Sequence, residues 1–181
     1  MNVCVFCGSS TGNDPIYADA ARRTGQLLAR SGHTLIYGGG NVGLMGILAD
    51  SVLERGGKVI GVIPDFLMKR EVGHQGLTEL IIVNSMHDRK KRMADLADSF
   101  MALPGGWGTL DELAEILTWR QLGLIHQTIG LLNVNSFFSS LVEQIKIMSE
   151  NDFLPAANLN YLAVENSPQK LLTALGLPFK N

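Results

Sequence analysis

The chain has 181 residues, a formal net charge of −2 and a hydrophobic fraction of 46%, so it is long enough to bury a substantial core. The near-neutral charge argues against a general affinity for nucleic acid or for anionic membranes. No apolar run approaches the ~20 residues of a membrane-spanning helix, and the start Met1–Phe6 lacks the basic opening of a signal peptide, so we expect a cytoplasmic protein.

Short apolar or β-branched runs alternate along the chain with longer segments of helical period. The predicted strands are Val3–Cys7, Thr34–Tyr37, Lys58–Ile63, Glu79–Val83, Ser99–Leu103, Thr128–Leu132 and Tyr161–Val164. The predicted helices are Pro15–Ser31, Gly43–Arg55, Met86–Ala97, Thr109–Leu122, Ser136–Glu150 and Pro168–Leu175. This alternation predicts a single α/β domain over residues 1–181, a doubly wound, Rossmann-like parallel sheet with helices on both faces.

Two cysteines, Cys4 and Cys7, share the first predicted strand. Residues three apart in a strand point to opposite faces of the sheet, which suits neither a redox pair nor a zinc knuckle. We therefore predict two reduced, buried and inert cysteines.

Small residues follow three of the predicted strands. Gly8-Ser9-Ser10 follows the first strand, Gly38-Gly39-Gly40 the second, and Pro104-Gly105-Gly106 the fifth. One such loop serves simply as a tight turn. Three of them at the carboxyl edge of one sheet, where ligands of such folds bind, indicate a cleft.

The segment Pro104–Glu112 leaves a strand, passes through three glycines and opens a helix. Free N–H groups and the positive end of the helix dipole make such a start an anion site. A Walker phosphate loop is excluded because no Gly-Lys-Ser/Thr follows. The spacing of Thr109 and Glu112 also predicts a capping box, with Thr109 as the N-cap.

The pattern of this helix also places Glu112 away from the core. An apolar stripe is predicted to face the core, and it consists of Leu110, Leu113, Ala114, Ile116 and Leu117. Glu112 lies off this stripe, on the side of Glu115 and Trp119. A tryptophan opposite the core favours a lid, a ligand or a neighbouring subunit, so we expect Glu112 to face a semi-enclosed cleft.

The helix that begins near Met86 carries a basic run, of which Lys91 and Arg92 are typical of a solvated face. Arg89 differs, because the helical wheel places it on the apolar side with Met86 and Met93. A guanidinium in that position has to reach water or meet an anion, since it cannot lose its charge. A carboxylate such as that of Glu112, or a bound nucleotide, would satisfy it.

The spacing Gly38-x-Gly40-x-x-Gly43 formally matches a dinucleotide fingerprint. It follows the second strand, however, and the best acidic candidate for a ribose contact, Asp65, lies beyond the usual spacing. We interpret this segment as a second glycine loop that borders the same cleft.

These motifs together resemble the Lonely Guy family of cytokinin riboside 5'-monophosphate phosphoribohydrolases, often mislabelled lysine decarboxylases. The resemblance covers nearly the whole chain and is most specific in Met86–Met93 and Pro104–Glu112. Trp107 and Asp111 stand where many relatives have tyrosine and glutamate, a difference that we expect to tune the pocket. No lysine stands in a setting typical of the pyridoxal-phosphate site that a decarboxylase normally needs.

The resemblance implies roles for particular residues. Arg89 and Glu112 would be the catalytic pair, and Gly105, Gly106, Gly108 and Thr109 would hold the 5'-phosphate. The remaining substrate-site residues would be Glu71, Lys90, Asp111, Thr118, Gly8, Ser9, Gly39, Gly40 and Met86. The family also implies a homodimer, with further assembly in some members and sites near the interface, where Trp119 would fit.

The predicted function is hydrolysis of the N-glycosidic bond of an AMP-like, N6-modified nucleoside 5'-monophosphate. The chain shows no clustered His/Cys/Asp metal-ligand pattern, so we expect neither a metal nor a cofactor. A general AMP nucleosidase and a nucleotide-binding module without turnover remain open as alternatives, and an NAD-dependent oxidoreductase ranks last.

Overall fold

The computed structural model describes residues 1–68 and 73–178. Over these residues seven parallel strands form one sheet: β1 Asn2–Phe6, β2 Thr34–Tyr37, β3 Lys58–Pro64, β4 Glu79–Val83, β5 Ser99–Ala102, β6 Thr128–Leu132 and β7 Leu162–Glu165. The α-helices are α1 Pro15–Arg30, α2 Gly43–Leu53, α3 Met86–Leu96, α4 Trp107–Gln121, α5 Ser139–Glu150 and α6 Pro168–Ala174. Short 3-10 turns cover Asp65–Leu67, Val134–Ser136 and Ala156–Tyr161.

The strand order is β4-β3-β2-β1-β5-β6-β7, so the sheet is doubly wound as predicted. β1 lies at the centre and pairs with both β2 and β5, Val3 being in register with Leu35 on one side and Ser99 on the other. The chain builds outward from β1 to β4 and then returns to the centre at β5. The carboxyl ends of β1 and β5 therefore form the topological switch point, where ligands bind in folds of this class.

Helices cover both faces of the sheet, which confirms the predicted layers. Val3 and Val5 of β1 pack with α1, α2 and α6 on one face. Cys4 and Phe6 pack with α3, α4 and α5 on the other face. The two cysteines are buried, form no disulfide and belong to opposite core layers, as their spacing predicted.

The strand bounds agree with the sequence prediction to within one residue, whereas two helix starts differ. α4 begins at Trp107 rather than at Thr109. α5 begins at Ser139 rather than at Ser136, because Asn135 and Ser136 have positive φ angles of 49° and 58°. Left-handed backbone cannot continue a right-handed helix. Within residues 1–68 and 73–178, no helix combines the length and the apolar character needed to cross a bilayer.

Candidate active site

The loops that follow β1 and β5 meet backbone to backbone at the switch point. The Gly8 N–H donates to the Pro104 carbonyl at 3.0 Å. A β-carbon on Gly8 would lie 3.2 Å from the Gly105 Cα, and one on Gly105 would overlap the Thr109 hydroxyl. Glycine is therefore required for the two loops to approach this closely.

Helix α4 starts directly from this contact. Its N-cap is Gly106, which has no side chain to bond the N–H groups of the first turn. Those groups lack partners inside the helix, and together with the helix dipole they form an anion site. The predicted capping box is wrong, because Thr109 is buried within the first turn and does not cap it. Because Gly105 and Gly106 carry no side chains, the helix can begin before Thr109, the residue that the N-cap preference of threonine had predicted as its start.

A cavity of about 220 Å³ opens between the switch point, α3 and the start of α4. Its lining residues are Val5, Phe6, Cys7, Gly8, Ser9, Gly38, Met45, Leu67, Met86, Arg89, Met93, Gly106, Trp107, Gly108, Thr109, Asp111 and Glu112. Trp107 stands at its rim with 89% of its surface exposed. Gly105 lines a neighbouring cavity of about 300 Å³ that shares Gly8, Ser9 and Gly106 with the first.

Arg89 enters this cavity from α3 and is buried, with 5% of its surface exposed. Its Nη2 donates to the Gly38 carbonyl at 3.0 Å, and its Nη1 lies 3.8 Å from the Met86 sulfur. A β-carbon on Gly38 would overlap the guanidinium. The predicted position of Arg89 on the inward side of its helix is confirmed.

Glu112 lies one and a half turns into α4 and lines the same cavity as Arg89. Burial raises the pKa of the Cys7 thiol well above its usual range, and the Glu112 carboxylate raises it further while the Arg89 guanidinium opposes that rise. Both charges thus act on one residue of the cavity wall. Arg89 and Glu112 share one water-accessible chamber beside the anion site.

Lys90 connects α3 to α4 beside the cavity. Its Nζ lies 3.1 Å from Asp111 Oδ2 and 3.2 Å from Glu115 Oε2. Burial alone would lower the pKa of Lys90, but the hydrogen bonds with Asp111 and Glu115 raise it above its ordinary value. The ammonium therefore stays charged and holds Asp111 at the cavity edge, although Lys90 itself does not line the cavity.

Comparison with known proteins identifies the family. A family described as "Possible lysine decarboxylase" matches residues 45–175. The "Probable cytokinin riboside 5'-monophosphate phosphoribohydrolase LOGL1" of Oryza sativa subsp. japonica is 49% identical over 140 residues, which span 77% of this chain and 63% of that protein. The "Cytokinin riboside 5'-monophosphate phosphoribohydrolase LOG2" of Arabidopsis thaliana is 44% identical over 170 residues, 93% of this chain and 80% of that protein.

The chain belongs to the Lonely Guy family. Among solved structures, the molybdenum cofactor binding protein from Rippkaea orientalis superimposes with a TM-score of 0.72 at 22% identity, covering 97% of this chain and 94% of that one. At this level of identity the likeness shows a common Rossmann-like fold and nothing further.

The structure places most residues that the Lonely Guy resemblance implied around the switch point, but not all of them. Thr118 lies beyond the cavity, and its hydroxyl donates to the Ala114 carbonyl at 2.7 Å. Gly39 packs against Ile63 and Leu80, and Gly40 pairs with Gly73, so neither glycine lines the cavity. Glu71 lies outside the described residues.

Sequence reasoning missed Gly38 as a site residue, although the glycine run after Tyr37 pointed to this loop. Gly38 lines the cavity and supplies the carbonyl that holds Arg89. Met45 and Met93 also line the cavity, and no pattern in the sequence had distinguished them from ordinary core residues. Among the described residues, no group of three or more His, Cys, Asp and Glu side chains could hold a metal ion.

This chain also has an apolar groove of about 400 Å³ between α4, α5 and the turn Ala156–Tyr161. Leu113 and Ile116 are the members of the predicted α4 stripe that are buried, whereas Ala114 is exposed in the groove. α5 has no buried residue, so it does not close over α4. Trp119 is half-buried and packs against the core instead of facing outward, so its predicted orientation is wrong.

Proposed function

We propose that this protein hydrolyses the N-glycosidic bond of AMP-like nucleoside 5'-monophosphates, including N6-modified ones, to free base and ribose 5-phosphate. The observation that carries the proposal is the single cavity that joins Arg89 and Glu112 to the glycine-lined start of α4. Membership of a family whose curated relatives are named phosphoribohydrolases supports the reaction class.

The 5'-phosphate would bind at the start of α4. Gly106 and Gly108 leave open space where a β-carbon would stand, so phosphate oxygens can reach the backbone N–H groups directly. Glu112 lies five residues beyond Trp107, about 7.5 Å along the helix axis at 1.5 Å per residue. That separation is comparable with the distance between the phosphate and the anomeric carbon of a nucleotide, so a phosphate at the helix start places C1' beside Glu112.

Cleavage would pass through an oxocarbenium-like state, as in glycoside hydrolysis. The C1'–N bond breaks, its electron pair leaves with the base, and the base takes up a proton. The oxygen of a water molecule bonds to C1' and gives up a proton to the Glu112 carboxylate. Glu112 then releases this proton to solvent, which supplies the proton that the base takes up. Glu112 would thus stabilise the cationic sugar and act as the general base.

Arg89 would hold the substrate and the Glu112 carboxylate in register. Its guanidinium is fixed by the Gly38 carbonyl at 3.0 Å and presents its donors in a rigid, planar fork. A buried cation next to the reacting sugar would also orient the carboxylate. The phosphate contacts supply remote binding energy that fixes the sugar in this arrangement.

Product analysis tests the proposal. The purified protein is incubated with AMP, isopentenyl-AMP and, as a control, adenosine, and the products are separated by chromatography. We expect free base and ribose 5-phosphate from the two monophosphates and far less base from adenosine, which lacks the phosphate. The ratio of the two rates assigns the preferred N6 substituent. Tight AMP binding without any base release would instead identify a nucleotide-binding module.

We also propose that the protein acts as a homodimer, with the apolar groove as part of the interface. Phe153 lines this groove and is 84% exposed, and Leu122 and Leu124 at the end of α4 are 64% and 67% exposed. Exposed large apolar side chains beside an apolar groove are typical of a protein–protein contact. Thr118 also lines the groove, so the interface would lie two turns of α4 from Glu112.

A further inference from the structure

His74 lies on the connection between β3 and β4 and is buried, with 7% of its surface exposed. Its ring makes two hydrogen bonds. The Gly76 N–H donates to Nδ1 at 3.0 Å, and Nε2 lies 2.9 Å from Asp50 Oδ1 on α2. Because Nδ1 accepts a backbone N–H, the ring proton resides on Nε2, and Nε2 donates to Asp50.

The backbone next to this ring is bonded to the glycine turn that follows β2. The His74 N–H donates to the Gly39 carbonyl at 3.0 Å, and Gly73 forms an isolated bridge with Gly40. Gly39 has a φ of 76°, a conformation that glycine adopts without strain. A turn of three glycines has no side chains of its own to fix it, so its position depends on such external contacts.

The same turn holds Arg89. Gly38 accepts the hydrogen bond of Arg89 Nη2 at 3.0 Å, and a β-carbon at Gly38 would already overlap that guanidinium. A shift of the turn therefore moves the guanidinium. Three hydrogen bonds, linked through the covalent chain of His74 and of the turn, therefore connect Asp50 to Arg89.

We propose that His74, held by Asp50, is a positioning residue for the hydrolysis proposed above. It does not line the cavity and acts through the Gly38–Gly40 turn on Arg89. The inference rests on the proposed function and adds to it a residue pair outside the site. Misplacement of a catalytic group by about 1 Å can cost on the order of 10²-fold in rate, so a buried anchor for this turn has a direct effect on turnover.

The experiment compares His74→Ala, His74→Gln, Asp50→Ala and Asp50→Asn with the wild type. His74→Gln retains a side-chain N–H that can donate to Asp50, and Asp50→Asn retains the oxygen that accepts from His74. The matched control is His33→Gln. His33 is likewise buried and contacts the Pro178 carbonyl with Nε2 at 2.8 Å, but it precedes β2 at the opposite end of the sheet. kcat, KM and thermal unfolding are measured for each.

We expect His74→Ala and Asp50→Ala to lower kcat by about 10- to 100-fold, with a much smaller change in KM. The two conservative variants should recover most of the loss, and His33→Gln should keep the wild-type kcat even where its stability falls as much. If His74→Ala does not fold, Asp50→Ala is the deciding variant. The Asp50 side chain is 55% exposed, so its replacement should not prevent folding.

Wild-type kcat in Asp50→Ala would overturn the inference, as would equal kcat losses in His33→Gln and His74→Ala at equal stability. Absence of base release by the wild type would instead overturn the proposed function, and the positioning role with it. The two failures are therefore distinguished by the wild-type measurement.

Discussion

Arg89 and Gly38 are joined by a hydrogen bond of 3.0 Å although they lie 51 positions apart in the chain. The bond connects α3 to the loop after β2, and it fixes the guanidinium where the cavity, the switch point and α4 meet. Because the acceptor is a backbone carbonyl, the position of this charge depends on the path of a glycine turn. Arg89 is therefore held by the Gly38 carbonyl of a different element, in addition to its 3.8 Å contact with Met86 on its own helix.

Gly38→Ala should lower kcat by displacing Arg89, an effect that can be distinguished from a loss of stability. The added methyl would overlap the Arg89 guanidinium, so the side chain has to move and kcat should fall at least ~10-fold, consistent with a displaced catalytic group. Steady-state kinetics and thermal unfolding check this. The control is Gly25→Ala, whose methyl would overlap the Leu48 carbonyl between α1 and α2, with a cost in stability but not in kcat. Unchanged kinetics in Gly38→Ala would contradict the assigned role of Arg89.

Glu112→Gln should remove turnover while it preserves the site. The substitution keeps the side-chain size, and the start of α4 does not depend on it, since Gly106 is the N-cap. We expect kcat to fall at least ~10²-fold, a magnitude typical of a lost general base, with AMP affinity largely retained in calorimetry. Glu54→Gln, an exposed carboxylate beyond α2, is the control. If Glu112→Gln remained fully active, another group would have to carry the catalysis.

The fold could be predicted because the sheet is buried on both faces. A strand such as β1, covered by helices on each side, appears in the sequence as a short continuous apolar run between helical segments. The alternation of such strands with helices predicts a doubly wound parallel sheet, and it also predicts that ligands bind at the carboxyl edge of that sheet. Arg89 was predicted to reach water or meet an anion because it lies on the apolar side of its helix. Glu112 was predicted to face a cleft because it lies off the core stripe on the side of Trp119, although Trp119 itself packs against the core.

Three features depended on contacts that a sequence pattern does not contain. The N-cap moved from Thr109 to Gly106 because the two glycine loops meet there. Gly38 rather than Gly39 or Gly40 reached the cavity, since the turn is fixed by hydrogen bonds from His74 and Arg89. The predicted apolar stripe of α4 is partly exposed because α5 leaves an open groove beside it.

Gly108→Ala should weaken nucleotide binding without a loss of stability. A β-carbon at this position meets nothing within 4 Å, and alanine is favoured over glycine in a helix by up to ~1 kcal/mol. The same methyl would intrude on a phosphate held by the first turn of α4. We expect about tenfold weaker AMP binding, comparable to one lost charge-assisted hydrogen bond, with an unchanged or higher Tm. A lower Tm with intact affinity would place the phosphate elsewhere.

Ala114→Arg tests the proposed dimer interface. Ala114 is exposed in the apolar groove, and arginine is a good helix former, so the fold should tolerate the change. A cation placed in the groove would remain unpaired on association, and we expect a monomer in analytical ultracentrifugation. Ala174→Arg, an exposed alanine of α6 outside the groove, should leave the dimer intact. A dimeric Ala114→Arg variant would exclude this groove as the interface.

The buried thiols should make the protein less stable at alkaline pH. Burial, and then the Glu112 carboxylate, raises the pKa of both Cys4 and Cys7, whereas unfolded thiols ionise near pH ~8.5. Above that pH the unfolded chain releases protons that the folded chain retains, so stability falls as pH rises, by about 1.4 kcal/mol per pH unit for each thiol. Lys90, whose pKa is also raised, adds to the fall only above about pH 10. Urea unfolding between pH 7 and 9.5 should show the onset of this fall, a loss of about 1.4 kcal/mol for each thiol over the whole range, and Cys4→Ala should reduce the loss by about half. A thiol reagent should label both cysteines in denaturant and neither in the native protein. Labelling of the native protein would show that a thiolate is accessible, contrary to the inert role assigned to this pair.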